Sequence, residues 1–385
     1  MKRTFVLIVC LLTAFLAASA VRLPDRKEVL NTLVKVNKFC MNNHPDPRTA
    51  TFVKKERSSS LWTRGVYFEG LYALYTIYPD KRYFDYMYTW ADFHEWTPRN
   101  GCTTRDADNY CCGQTFVDLY NLCKEEKMIK SLRAHGNMLL NTPQVNDWWW
   151  VDAIQMGMPY LAKMARATGD VRYYDKARDM YMWTRNDNDG GLFNEKEGLW
   201  WRDPDFNPPY KEPNGQDCYW SRGNGWAYAA LVRVMEEMDS DCSHSADRTE
   251  GYKGSGYQSY VSDFKLMSNA LKDCQREDGF WNCSLHDAAN FGGKETSGTA
   301  LFVYGMAWGV RKGLLDETTY LPVLLKAWNA LVKDAVHPNG YLGYVQGTGK
   351  EPKDGQPTSY DSKPDFDDYG TGCFLLAGTE VYKLK

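Results

Sequence analysis

The feature that most constrains this chain is an alternation that runs its whole length. Six segments open on glycine-containing starts and continue as apolar, helix-length runs: "RGVYFEGLYALYTIY" from Arg64, "DNYCCGQTFVDLYNLC" from Asp108, "DAIQMGMPYLAKMA" from Asp152, "RGNGWAYAALVRVM" from Arg222, "SGTALFVYGMAWGV" from Ser297 and "YGTGCFLLAGTEVY" from Tyr369. Each is apolar nearly all round, the mark of a helix buried on every side. Between them lie amphipathic segments with one apolar stripe and a charged face, beginning near Asp25, Lys81, Glu125, Val171, Tyr260 and Glu317. Short turns with Gly-Asp or Pro-Asp join several buried segments to the next amphipathic one. The pattern predicts twelve helices in six inner–outer pairs. An all-α (α/α)6 toroid, six inner helices ringed by six outer ones, buries all the apolar inner faces. The alternative, an open helical solenoid, leaves them exposed at both ends.

The connections are lopsided. Inner-to-outer links are mostly a few residues, whereas outer-to-inner links are long, about 43–61, 185–221, 276–296 and 335–368, and rich in Trp, Tyr, Gly, Pro and Asp. In a toroid all the long links fall at one end. Long loops on a rigid scaffold are where function concentrates. The N-termini of the six inner helices point to the same end, and their free N–H groups and dipoles suit an anionic ligand. Asp108, Asp152 and Arg222 all belong there.

Residues 1–20, "MKRTFVLIVCLLTAFLAASA", read as a secretory signal with a charged start, an apolar run and small residues before cleavage near Ala20. The expectation is a periplasmic or secreted protein with a single catalytic domain over 21–385. No other segment reaches roughly 18 apolar residues, so no membrane partner is expected. Loss of Lys2 and Arg3 with the leader takes the formal charge from −3 to −5. With no basic block, nucleic acid is not an expected partner either. Of 11 cysteines Cys10 leaves with the leader, and ten remain in a compartment that allows disulfides. Adjacent Cys111 and Cys112 read as small core residues on a helix. The six histidines are scattered, which predicts no metal site. The chain has 14 Trp, 26 Tyr and 16 Phe. That number suits either a large helical core or platforms for sugar rings.

Asp152 follows three tryptophans in "WWWVDAIQMGMP". An aspartate at a helix start is commonly an N-cap. The helix dipole favours its ionised form by roughly 0.3–1 kcal/mol, while complete burial against Trp148, Trp149 and Trp150 would raise its pKa by up to ~3–5 units. If the tryptophans face it, desolvation wins and Asp152 can serve as a general acid. Asp108 holds the corresponding place one inner helix earlier, with Asp106 competing for that identity and a second cap as the bland reading. Two carboxyls in one dry pocket raise the first proton's pKa. In "YWSRGNGWAYAAL", Arg222 and Trp226 stand at i and i+4 on one face. They suit either an anionic sugar or a structural Arg paired with an acid such as Asp217. "RNDNDGGLFNEKE" fails as a calcium loop, since Arg185 and Lys196 fall at ligand positions, and reads as a solvated turn. "GTGK" at 347–350 is too short for a phosphate loop.

Together "DADNYCCGQTFVDLY", "WWWVDAIQMGMPYLAKMARATGD", "YWSRGNGWAYAAL", "KETSGTALFVYGMAWGVRKGLL" and "DFDDYGTGCFLLAGTEVYKL" resemble the unsaturated rhamnogalacturonyl hydrolases, glycoside hydrolase family 105, and more distantly the unsaturated glucuronyl hydrolases of family 88. The resemblance spans essentially the whole mature chain, and "WVDAIQMGMP" with "SRGNGW" is its specific part. It implies the (α/α)6 fold and a substrate left by a polysaccharide lyase, an oligosaccharide ending in a 4,5-unsaturated uronic acid. An acid protonates C4, water adds at C5, and the hemiketal opens to expel the remaining sugar. This differs from displacement at the anomeric carbon. By the resemblance Asp152 is general acid and base, and Asp108 binds the sugar and helps hold the proton. Trp150, Arg222 and Trp226 line the sugar subsite, with Trp220, Trp149, Arg202 and Trp62 as further contacts. No metal or cofactor is implied. A histidine frequent in the family's loop after the fourth outer helix is missing from "GGLFNEKEGLWWRDPDF", where Arg202 or Trp201 takes the space. Rhamnose-linked pectin fragments are the default substrate, with unsaturated glucuronyl units of other plant or algal polysaccharides as the alternative. A non-catalytic sugar-binding toroid, a sugar epimerase and an ordinary glycosidase or lyase are the competing readings. His286 and His337, which an epimerase would want at helix ends, fall in loops.

Overall fold

The computed structural model describes residues 22–52, 56–241, 251–254 and 256–385; the expected leader, residues 1–20, lies outside them. In chain order the elements are α1 (Arg26–Asn43), the two-residue strands β1 (Thr51–Phe52) and β2 (Glu56–Arg57), α2 (Trp62–Ile77), α3 (Lys81–Phe93), α4 (Ala107–Tyr110), α5 (Gly113–Cys123), α6 (Glu126–Leu140), α7 (Asp152–Thr168) and α8 (Arg172–Asn186). Then come β3 (Phe193–Asn194), β4 (Leu199–Trp200), α9 (Ser221–Ser240), α10 (Tyr257–Asp273), α11 (Thr296–Arg311), α12 (Glu317–Ala330) and α13 (Asp368–Lys383). Both strand pairs are antiparallel hairpins inside long loops.

Six helices form the inner ring: α2, the α4–α5 pair, α7, α9, α11 and α13. Each packs on the next, and α13 packs on α2. That last contact closes the toroid and excludes the open solenoid. The seam is made of glycine. A Cβ added at Gly70 would run into the backbone of Gly372, and one at Gly372 into the carbonyl of Val66. Only glycine lets these two backbones approach so closely. The apolar runs are buried as their composition requires: all 14 residues from Thr296 to Gly309 in α11 are buried.

The punctuation works as the turn chemistry dictates. Asp25 and Asp80 cap α1 and α3 through their carboxylates. Gly169 ends α7 with φ +73°, a conformation that suits glycine. One inner helix departs from the expected single run. Cys111 and Cys112 do not continue a helix but form the joint between α4 and α5. Both are buried, and the nine described cysteines are all free thiols. Among the described residues no helix is long and apolar enough to cross a membrane.

Candidate active site

The long loops gather at the end where α2, α4, α7, α9, α11 and α13 begin. Asp152 is the first residue of α7. It is not a cap: Val151 occupies the cap position, and no side chain caps this end. Its carboxylate Oδ2 accepts a bond of 3.1 Å from Nε of Arg202. Burial pushes the Asp152 carboxyl above its ordinary range, while the charges of Arg202 and Arg222 pull it back only in part. The net direction is upward, the one a proton donor needs.

The competition between Asp106 and Asp108 is resolved by geometry. Asp106 is the cap of α4, its carboxylate accepting from the N–H of Asp108 at 3.0 Å. Asp108 is thereby freed from capping, and among the described residues no donor bonds its carboxylate. Its pKa is raised to about 7, chiefly by burial and then by the charges of Asp106 and Asp152; Arg202 and Arg57 oppose the shift. Asp152 responds mainly to burial and to its arginines, so the coupling is felt more strongly at Asp108.

Arg202 is brought in by the loop between α8 and α9. The β3–β4 hairpin is pinned to α9 by Asn224, whose side chain accepts from the N–H of Trp200 at 2.8 Å and donates to its carbonyl at 3.0 Å. Two residues on, the carbonyl of Arg202 accepts from the N–H of Val151 at 2.8 Å. Its guanidinium is divided between Asp152 and Asp203, Nη1 lying 2.6 Å from Asp203 Oδ2. Arg202 thus stands as a fixed positive charge against Asp152.

The three tryptophans have three different environments. Trp148 is core, donating to Tyr110 at 2.7 Å. Trp150 is buried and lies 4.8 Å from Trp149, ring centre to ring centre. Trp149 is 50% exposed, and the Arg202 guanidinium lies 5.9 Å from its ring. Its backbone is held by Asn188, which donates to the Trp149 carbonyl at 2.8 Å. The segment read as a solvated turn therefore contains a buried asparagine that fixes the tryptophan ladder.

Several expected sugar contacts are corrected. Arg222 is buried, with Nη1 and Nη2 each bonding a backbone carbonyl, Gln346 and Gly347, at 2.7 Å. It is no free clamp, and its partner is not Asp217, which pairs with Lys211. Arg222 reaches Asp152 through its charge alone. Trp226 and Trp220 have no exposed face; Trp220 donates to Gln346 Oε1 at 2.9 Å. Trp62 is partly exposed and packs edge-on to Trp226 at 6.1 Å and against Tyr369 at 5.3 Å. Of the tryptophans expected to contact a sugar, Trp149 and Trp62 are those that keep exposed ring surface. Arg57, on β2, gave no sequence signal, because a two-residue strand shows no periodicity. It lies over Phe366 at 4.1 Å. Among the described residues no cluster of His, Cys, Asp and Glu could hold a metal ion. A cavity of about 710 Å³ between Lys196, Asn214, Leu266 and His286 is separate from Asp152.

The model of Glycosyl Hydrolase Family 88 matches residues 32–385. The chain belongs to that family. An unsaturated 3S-rhamnoglycuronyl hydrolase of Formosa agariphila is 31% identical over 344 residues, 84% of this chain and 85% of the relative. A family 88 glycosyl hydrolase structure from Bacteroides vulgatus superposes with TM-score 0.81 at 30% identity, covering 94% of this chain and 99% of the other. A structure described as a polysaccharide lyase superposes with TM-score 0.80 at 30% identity, covering 93% and 97%. The chain is a glycoside hydrolase, one of the two families its motifs resemble, and the helical toroid is that of its neighbours.

Proposed function

We propose that this glycoside hydrolase removes a 4,5-unsaturated uronic acid from the non-reducing end of lyase-generated oligosaccharides, by hydrating the ring double bond with Asp152 as acid and base. The observation that carries the proposal is the Asp108–Asp152 pair: two carboxyls at one helix-end site, both shifted upward, one of them to about 7. The upward shift at Asp152, set by burial, is the direction that a proton donor to carbon needs. Asp152 donates its proton to C4 of the vinyl ether, and positive charge develops at C5 and the ring oxygen. The resulting carboxylate is held by Arg202 and takes a proton from the water that adds at C5. The hemiketal then opens, and the aglycone leaves as its alcohol. Asp108 binds the ring and keeps the pair protonated, and Trp149 and Trp62 supply faces for the sugars.

The name of the Formosa relative, an unsaturated 3S-rhamnoglycuronyl hydrolase, favours a rhamnose-linked glucuronyl unit over the pectin default. The leader-like start supports placement in the periplasm or outside the cell. Incubation with unsaturated fragments from ulvan, pectin and glycosaminoglycans tests the proposal. The enol-ether ultraviolet band should disappear, fastest with the rhamnose-linked glucuronyl fragment. Absorbance unchanged on all three would refute it. The polysaccharide-lyase alternative has the opposite sign, since elimination from intact polymer creates the band.

A further inference from the structure

α7 contains Pro159, one turn below Gln155. Proline has no N–H, so the carbonyl of Gln155 loses the helix bond it would accept from residue 159. A buried carbonyl without a donor is unfavourable. Gln114 of α5 supplies that donor from outside the helix: its Nε2 lies 2.9 Å from the Gln155 carbonyl and 3.3 Å from that of Met156. The amide is itself fixed in orientation. Its Oε1 accepts from Arg233 Nη2 of α9 at 2.8 Å. Arg233 Nη1 lies 3.3 Å from Glu69 Oε2 of α2, and the same oxygen accepts from the side chain of Gln155 at 2.8 Å. Four inner helices thus form a closed loop of polar groups around the second turn of α7. The loop sits three residues below Asp152, and all four side chains are buried.

We infer that Gln114 is a positioning residue for Asp152: it replaces the backbone donor that Pro159 removes and so fixes the first turn of α7 relative to the ring. It touches no reacting atom. Its effect runs through the placement of Asp152, and small misplacements of a proton donor are expensive in rate. The inference rests on Asp152 as the acid and goes beyond it by naming what holds the acid in place.

The test is a repair. Gln114→Met removes the donor at similar volume, and Pro159→Ala restores the backbone N–H. Gln114→Met should lower kcat about tenfold with KM within about twofold, a split expected of lost orientation rather than lost binding. The double variant Q114M/P159A should regain at least half of the lost factor on a logarithmic scale. Wild-type kcat in folded Q114M, or a loss that Pro159→Ala does not reverse, overturns the inference. If Q114M does not fold alone, the double variant decides: an active, folded protein supports the role, and an unfolded or inactive one overturns it. Asp152→Asn run in parallel separates the two levels. Retained turnover there refutes the acid assignment, whereas an inactive D152N with an unaffected Q114M refutes only the positioning role.

Discussion

At the far end of the ring Lys163 bonds Asp118 at 2.5 Å and Glu237 at 2.9 Å, and Arg166 adds a bond of 3.0 Å to Glu237. At the loop-rich end Asp152 shares one arginine with Asp203, and Asp108 has no donor among the described residues. Both ends bury carboxyls between inner helices. Burial raises Glu237, but Lys163 and Arg166 outweigh it and hold the group below its usual range. Burial raises Asp108 and Asp152, and the nearby arginines do not outweigh it. Asp118, bonded to Lys163 alone, stays raised by burial, so the number of bonded cations separates Glu237, which has two, from Asp118, Asp152 and Asp108, which have one or none. The far end gives two cations to Glu237, whereas at the loop end Asp152 shares one arginine and Asp108 bonds none among the described residues.

Asp152→Asn should break the loop end most completely. Stopped assays on unsaturated fragments should show kcat lower by about 10³–10⁴, the upper range for loss of general acid–base catalysis. The thermal midpoint should be retained or raised, because an amide removes an unfavourably buried charge. Lys163→Met attacks the other end and should behave in the reverse way. Asp118 loses its bonded cation and Glu237 one of its two, so chemical denaturation should show a loss of roughly 3–5 kcal/mol, with kcat of the folded enzyme within about twofold. A large kcat loss in Lys163→Met at intact stability would abolish the contrast between the ends.

Asp108→Asn sharpens the comparison through pH. The folded-state pKa of Asp108 is raised, so the folded protein holds a proton that the unfolded chain has released. Its favourable contribution is present below about 3.8 and is lost as pH rises through about 7. The variant should therefore gain thermal stability relative to wild type at pH 8 and gain nothing at pH 4, while kcat falls by about 10². The smallest effect belongs to Arg202→Met. Arg202 pulls the Asp152 carboxyl down, so its removal should move the alkaline limb of kcat/KM to higher pH. Asp108→Asn, which removes a neighbouring negative charge, should move it lower. Limbs moving in the same direction would show that the pair does not control the profile.

The sequence pattern carried the ring well because helix burial is written in periodicity: expected starts at Lys81, Asp152 and Glu317 coincide with observed ones. It also carried the loop-rich end. Side-chain direction was harder to read. Asp106 and Asp108 are two residues apart, and only the start of α4 at Ala107 decides which one caps. The partner expected for Arg222 was an acid close in sequence, but the partners found are carbonyls 124 and 125 residues away. Three adjacent tryptophans look alike as letters, yet Trp148 is buried and Trp149 is half exposed. Arg202 could be named as a candidate but not paired, because its place depends on Asn224 anchoring a hairpin of two-residue strands.

Proton transfer to carbon is most directly observed by isotope. Turnover of an unsaturated rhamnose-linked glucuronyl fragment in heavy water, followed by mass and NMR analysis of the released uronate, reads the atom that receives the proton. Deuterium at C4 with the wild-type protein, and none formed by Asp152→Asn under the same conditions, is the expected outcome. A product without deuterium at C4, or incorporation by Asp152→Asn at the wild-type rate, would contradict Asp152 as the donor.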